Sequence, residues 1–298
     1  MRAATDDNLP DRFGPMTVKE LRQGLRRSMF VIPFLGIQAL AVSATAVEFG
    51  RETGGRFSEY VGVLNLGLLF ASGPFWLVVT AVCALVMPLG GLALMGQEME
   101  EGNHELLLLT QLNRWCVVRG KFLMLWGICA LTFLSLLPYV VVRYLIGGIE
   151  LPRELACSLS VLGLSAMVCA GMLGASSYCG LGARVGMVLL YFFSMLGACA
   201  VPLVASAAVS GGCGIIYHVN AAAAMYCYIM IGLALARSRL RLALHAYELK
   251  PSWMMVGVLV FTPFIVWVVT ALTFGFGGFV GLVGMGILAR YADVTPKA

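Results

Sequence analysis

The chain has 298 residues, 60% of them hydrophobic and only 12% charged, with a mean hydropathy of +0.90. A soluble domain runs nearer 45–50% apolar and about 25% charged, so that class is excluded and the chain is a polytopic membrane protein. Its formal net charge of +5 comes from basic residues that flank apolar runs, which points to membrane orientation and away from nucleic acid.

Residues 1–16 are polar, carry Pro10, Gly14 and Pro15, and suit a short arm with no cleavable signal peptide. Thr17-Val18-Lys19-Glu20 has the form of a capping box, in which the threonine and the glutamate three residues on satisfy the free amides of a helix start. Val18, Leu21, Leu25 and Met29 then share one face, while Lys19, Arg22, Arg26 and Arg27 fill the rest. That pattern predicts an amphipathic helix on the cytosolic membrane surface, its basic residues among anionic headgroups. The alternative is a basic flank that only orients the first span. Residues 1–29 thus form a cytosolic arm and interfacial helix, and 30–298 a transmembrane domain.

The first span is expected at Phe30–Val47, followed by a polar loop over Glu48–Glu59. The apolar run Tyr60–Gly96 is too long for one crossing, and Gly73-Pro74 breaks it. The second span is therefore placed at Phe75–Leu94, preceded by a short helix over Val61–Ala71 whose Asn65 faces protein or water. Gln97–Lys121 is the one long polar interruption, the place where the chain can be gripped from the water. A third span follows at Phe122–Ile146, kinked near Pro138, with Arg143 one turn from its outer end and able to snorkel to the headgroups. Gly147–Arg153 is an outer turn. The fourth span, Leu155–Cys179, carries Ala166, Ala170 and Gly174 at four-residue spacing, a face on which another helix can pack closely. The fifth is expected at Val185–Val209 and the sixth at Val219–Ala236. Trp253–Ala289 again exceeds one crossing and breaks at Gly275-Phe276-Gly277-Gly278 into two helices. The fold class is an all-α transmembrane bundle of about six to eight spans.

With the amino terminus inside, all but four of the 20 basic residues fall on the cytosolic side, the exceptions being Arg51, Arg56, Arg143 and Arg153. The positive-inside rule then gives a multi-pass protein with both termini cytosolic. Eight crossings satisfy it, and so do six with the last stretch as a re-entrant hairpin.

Catalytic motifs are missing. There is no phosphate-binding G-x-x-x-x-G-K-[ST] loop, His104-Glu105 lacks the second histidine of a zinc helix, and Gly-x-Ser-x-Gly does not occur. No acidic residue lies within a span away from its ends, whereas ion-coupled carriers and intramembrane hydrolases use ionisable groups at depth. His218 and Asn220, at the outer end of the sixth span, suit an interfacial role. The nine cysteines include no Cys-x-x-Cys and read as small buried hydrophobes, with Cys157 and Cys213 the one pair placed for a bridge.

Lys19-Glu20-Leu21-Arg22 before the first span, Glu98–Glu105 with Leu106-Leu107-Leu108-Leu109-Thr110, and Gly120-Lys121 opening the third span together resemble the permease subunits of type-2 ABC transporters, the exporter-like class. That family has a glutamate, a glycine and a threonine before a glutamate and a leucine pair, then a proline-containing turn and a glycine-lysine. Glu101-Gly102 and Glu105-Leu106-Leu107 match, Asn103 stands for the threonine and Gln111 for the proline. Asparagine caps a helix as threonine does. The match covers residues 17–30 and 97–150.

The resemblance implies that the 97–121 loop forms a cytosolic coupling helix docked in a groove of a separate ABC ATPase, and that two permease chains, identical or different, pair with two ATPases in the cytoplasmic (inner) membrane. Leu106, Leu107, Leu108 and Leu109 would make docking or membrane-surface contacts; Glu98, Glu100, Glu101 and Glu105 would pair with basic groups of the ATPase or with the chain's own Arg22, Arg26 and Arg119, and Arg114 belongs to the same coupling set, the alternative being a solvated acidic loop. Lys19, Glu20, Leu21, Arg22, Leu25 and Arg26 would form the interfacial helix. The chain itself would be no enzyme and hold no cofactor, ATP sitting on the partner, and it would couple hydrolysis to export. Two other classes compete: an ATP-independent carrier or channel, which a co-purifying ATPase would argue against, and a membrane scaffold, which substrate-dependent ATPase activity would exclude.

Overall fold

The protein is described from a computed structural model, covering residues 28–49, 61–93, 114–147, 150–178, 180–244 and 253–292. These residues are almost wholly helical and include no strand. A bilayer core offers no water to unpaired amides and carbonyls, so long apolar runs close their hydrogen bonds within helices.

The helices are α1 (Ser28–Phe49), α2 (Leu66–Ala71), α3 (Pro74–Thr80), α4 (Arg114–Gly147), α5 (Leu151–Ser176), α6 (Leu181–Ser210), α7 (Ile215–Leu244), α8 (Met254–Leu272) and α9 (Gly278–Ala292). α3 passes into a π-helical turn (Ala81–Val86), one α turn (Met87–Leu89) and a 3-10 turn (Gly90–Ala93), and together these make one rod. Among the described residues seven helices, the α3 rod included, are long and apolar enough to cross a membrane, and α9 is a shorter apolar helix. The protein is therefore a multi-pass helical bundle. We call the end with Phe49, Gly147, Leu151 and Gly211 the far end, and the end with Arg114, Arg184 and Arg237 the near end.

The two breaks expected in the long apolar runs are present. Gly73 has φ +107° and Pro74 opens α3, where the missing amide of proline costs no helix bond. Gly275 has φ +88° in the turn between α8 and α9. The helix expected at Val61–Ala71 is confined to Leu66–Ala71, because Asn65 caps it by accepting from the Leu68 amide at 3.2 Å. α4 starts at Arg114, ahead of the expected Phe122, so Arg119 and Lys121 lie on the helix and Lys121 is 1% exposed. A charged residue marks the edge of the hydrocarbon, and a helix can run on past that edge.

α5 and α7 form the centre, each with 67% of its span buried against roughly 28–44% for the others. Their closeness comes from small residues: a Cβ on Gly232 would stand 2.5 Å from the Ala170 backbone, and one on Gly174 would stand 2.9 Å from the Gly232 carbonyl. α9 spends its glycines similarly, Gly278 against Pro202 and Thr270 and Gly286 against Tyr226. The small-residue face of α5 is thus filled inside the chain, by α7. In the middle of the bundle the Tyr228 hydroxyl donates to the Ser194 carbonyl at 2.6 Å, and the Ser194 hydroxyl to the Leu259 carbonyl at 2.6 Å. Tyr191 places its hydroxyl 2.9 and 2.8 Å from the Met167 and Tyr228 carbonyls. These bonds join α5, α6, α7 and α8 where no water can substitute.

Candidate functional site

Charge is scarce in this bundle, so a place where it is buried deserves the closest reading. At the far end Arg143, from the last turns of α4, is 3% exposed. Sequence reasoning expected it to snorkel to the headgroups; its guanidinium instead points into the protein because two carboxylates and a carbonyl are in reach. Nε donates to Glu48 Oε2 at 2.6 Å and Nη2 to Glu48 Oε1 at 3.2 Å, while Nη1 donates to Glu154 at 3.1 and 3.2 Å. Nη2 also donates to the Ser72 carbonyl at 3.0 Å. The guanidinium lies 4.7 Å from the centre of the Phe75 ring, a cation–π contact that covers its apolar face.

Each partner is positioned by local structure. Glu48 lies in the last turn of α1, where the expected polar loop is still helix, and its Oε1 accepts from the Phe75 amide at 3.3 Å. A carboxylate thereby sits on the free amides of α3. The same oxygen lies where a Cβ on Gly73 would be, so this approach requires glycine. Glu154 is in the first turn of α5, which begins at Leu151 and so ahead of the expected start, and accepts from Trp76 Nε1 at 3.1 Å. Arg153 beside it donates to Ser72 Oγ at 3.0 Å and to the Ala71 carbonyl at 3.0 Å. Two arginines and two glutamates sum to zero formal charge.

Chemically the cluster is closed. Both carboxylates are paired and the guanidinium donors are spoken for, and among the described residues no group of His, Cys, Asp or Glu could hold a metal ion. Its effect is mechanical: it ties α1, the α2–α3 junction, α4 and α5 together at one end. Cys157 lies against Ser72 Oγ at 3.5 Å, and both Cys157 and Cys213 are free thiols, so the alternative of a bridge between them is not realised. His218 is exposed and packs edge-on to Tyr217, while Asn220 is buried and donates to the Pro202 carbonyl at 3.4 Å.

At the near end the Trp115 ring has Arg119 at 4.9 Å and Arg237 at 5.4 Å, so α4 and α7 meet through stacked cations. Arg184 donates to the Tyr178 carbonyl at 2.8 Å, closing the turn before α6. This end receives the 94–113 segment. Glu98, Glu100, Glu101, Glu105 and Leu106 to Leu109 lie outside the described residues, as do Lys19, Glu20, Leu21, Arg22, Leu25 and Arg26; Arg114 opens α4. The sequence did carry a signal for the far-end cluster: Glu48, Arg143 and Glu154 each stand within a turn or so of a span end on the same side. No family model, no curated protein and no solved structure matches the chain.

Proposed function

We propose that the chain is the membrane permease subunit of an ATP-driven transporter of the type-2 ABC class, coupling a separate cytosolic ATPase to export. The observation that carries this reading is the run Glu101-Gly102 and Glu105-Leu106-Leu107 between two membrane spans, with Gly120-Lys121 after it. It is supported by the placement of that run. The 94–113 segment joins the α3 rod to α4, and α4 rises from it as a continuous helix of 34 residues whose first turns are braced by Trp115, Arg119 and Arg237. A push on the segment would act on the same helix that carries Arg143 of the far-end cluster, with Pro138 lying between the two. Orientation in the cytoplasmic membrane, with both termini inside and a paired second permease chain, belongs to the same proposal.

Replacing Glu101 and Glu105 together by lysine tests it. Insertion depends on the spans and should be normal. Reversing charge at a docking contact costs several kcal/mol, so the variant should lose its ATPase or its transport. Leu106→Asp with Leu107→Asp should act alike through lost apolar contact, about 1.5–3 kcal/mol for each leucine fully buried. Glu52→Lys, in the opposite loop, is the control. A double lysine variant that retains its ATPase and transports normally would remove the coupling role.

A further inference from the structure

Between the stretch before α2 and the outer half of α6 lies a groove with two adjoining chambers. The wider, about 410 Å³, is at the far end and includes Asn65, Cys213 and Tyr217 in its wall. The narrower, about 100 Å³, lies deeper and is bounded by Leu164, Met167, Met195 and Cys199. Leu64, Leu66, Ala200 and Leu203 line both, so the two chambers adjoin along the same wall. From Ala207 to Met195 along α6 the groove descends about 18 Å, more than half of a hydrocarbon core of about 30 Å.

The wall beside α2 is held in place at a cost. Leu64 has φ +59°, a left-handed backbone that a leucine adopts only where its surroundings impose it, and its amide donates to the buried Ser160 hydroxyl at 2.8 Å. That backbone sets the position of Leu64, one of the four residues common to both chambers. The groove is open to the side, because Leu66, Gly67, Ala200 and Val204 are exposed along it.

From this geometry we propose that the groove binds one acyl chain of a membrane phospholipid, with the glycerol-ester region at Asn65, Cys213 and Tyr217. Apart from the Cys199 thiol and the weakly accepting thioethers of Met167 and Met195, the deep chamber is lined by hydrocarbon side chains, so water entering it would find almost no hydrogen-bond partners. The polar side chains gather at the wide end, and no charged side chain lines either chamber, which fits an ester or hydroxyl and leaves a charged headgroup in water. The fall in volume from about 410 to about 100 Å³ between the two chambers suits one chain rather than two. The bilayer itself supplies the occupant, and the site needs no ATPase to fill.

The full-length protein is reconstituted in phosphatidylcholine vesicles containing a trace of phosphatidylcholine with a diazirine on one acyl chain, irradiated, and mapped by mass spectrometry. Adducts should concentrate on residues 64–67 and 195–207, with a diazirine near the methyl end marking Met195 and one near the ester marking Tyr217. The comparison surface is the exposed face of α4 at Leu134 and Val141. Ala200→Trp, at the junction of the chambers, should reduce groove adducts to the level of that face and leave the face unchanged; Ala207→Trp does the same from the wide end should the first variant not fold. Groove residues labelled no more than Leu134 and Val141, or labelling indifferent to both tryptophans, overturns the proposal. No ATPase is in the assay, so the permease reading stands or falls separately.

Discussion

Arg143→Met keeps most of the side-chain stem and withdraws the guanidinium from between two carboxylates. Removing one partner of a buried ion pair costs about 3–5 kcal/mol, because the other charge is left in a medium that cannot solvate it. Here two carboxylates are left, and the Ser72 carbonyl loses a donor, but neither glutamate is stripped bare: Trp76 Nε1 still reaches Glu154 and the Phe75 amide still reaches Glu48. The expected loss therefore stays near that range rather than doubling it, a large part of a total stability of about 5–15 kcal/mol. Thermal unfolding of the purified protein in nanodiscs should show a midpoint lower by on the order of 10 °C. The decisive comparison is the triple variant Glu48→Gln, Arg143→Met, Glu154→Gln. It has no buried charge left at these three positions and loses only hydrogen bonds, about 1–3 kcal/mol, so it should melt above the single variant. A single variant that melts with the native protein, or a triple variant that melts below the single variant, would show that the cluster is not held by its charges.

Gly73→Ala should destabilise by about 1–3 kcal/mol, since φ +107° is disfavoured for alanine and the new Cβ meets Glu48; the Arg143→Met background should shrink the penalty, and a full penalty there would separate the two effects. Gly232→Val drives a branched side chain into the Ala170 backbone and should cost about 1–3 kcal/mol or prevent recovery, whereas Gly257→Val, which meets open space, should be tolerated in the same melting assay. Burial pushes the Cys213 thiol above its ordinary value, so less thiolate is present at any given pH. Its alkylation by a soluble maleimide should be slower than that of a free peptide cysteine and should still be rising above pH of about 8.5, where the peptide begins to level. Single cysteines at Asn103 and Gly54 in a cysteine-free background should label from opposite sides of the membrane with an impermeant reagent; same-side labelling would end the proposed topology.

Local chemistry is what the sequence announces well. Gly73-Pro74 and Gly275 stop helices by their own backbone preferences, and Ala170 and Gly174 advertise a close helix contact, although only the fold names Gly232 as what they touch. The ends of elements were less legible, as at Arg114, where charge was read as loop. The far-end cluster was hidden for a different reason. Glu48 and Arg143 are 95 residues apart, and a lone arginine near a span end has two good options, water or an internal carboxylate. Which it takes depends on how α1, α4 and α5 are brought together, a tertiary fact that no window of sequence contains. The groove was hidden similarly, because a left-handed Leu64 is a departure from what leucine prefers.

The π-helical turn at Ala81–Val86 divides the α3 rod into two segments that are out of phase. Phe75, Trp76 and Val79 above it pack with α1 and the far-end cluster, while Met87 below it packs with Val117 and Leu125 of α4. Each residue in an α-helix advances the face by about 100°, so one residue more or less re-aims everything downstream. A single deletion within Ala81–Val86 that restores plain α-helix is the exception, because it removes the one residue that the wide turn absorbs and leaves both Trp76 and Met87 on their present faces. A related chain with one residue fewer between Trp76 and Met87, and plain α-helix in place of the π turn, would therefore present the same two faces to α1 and to α4.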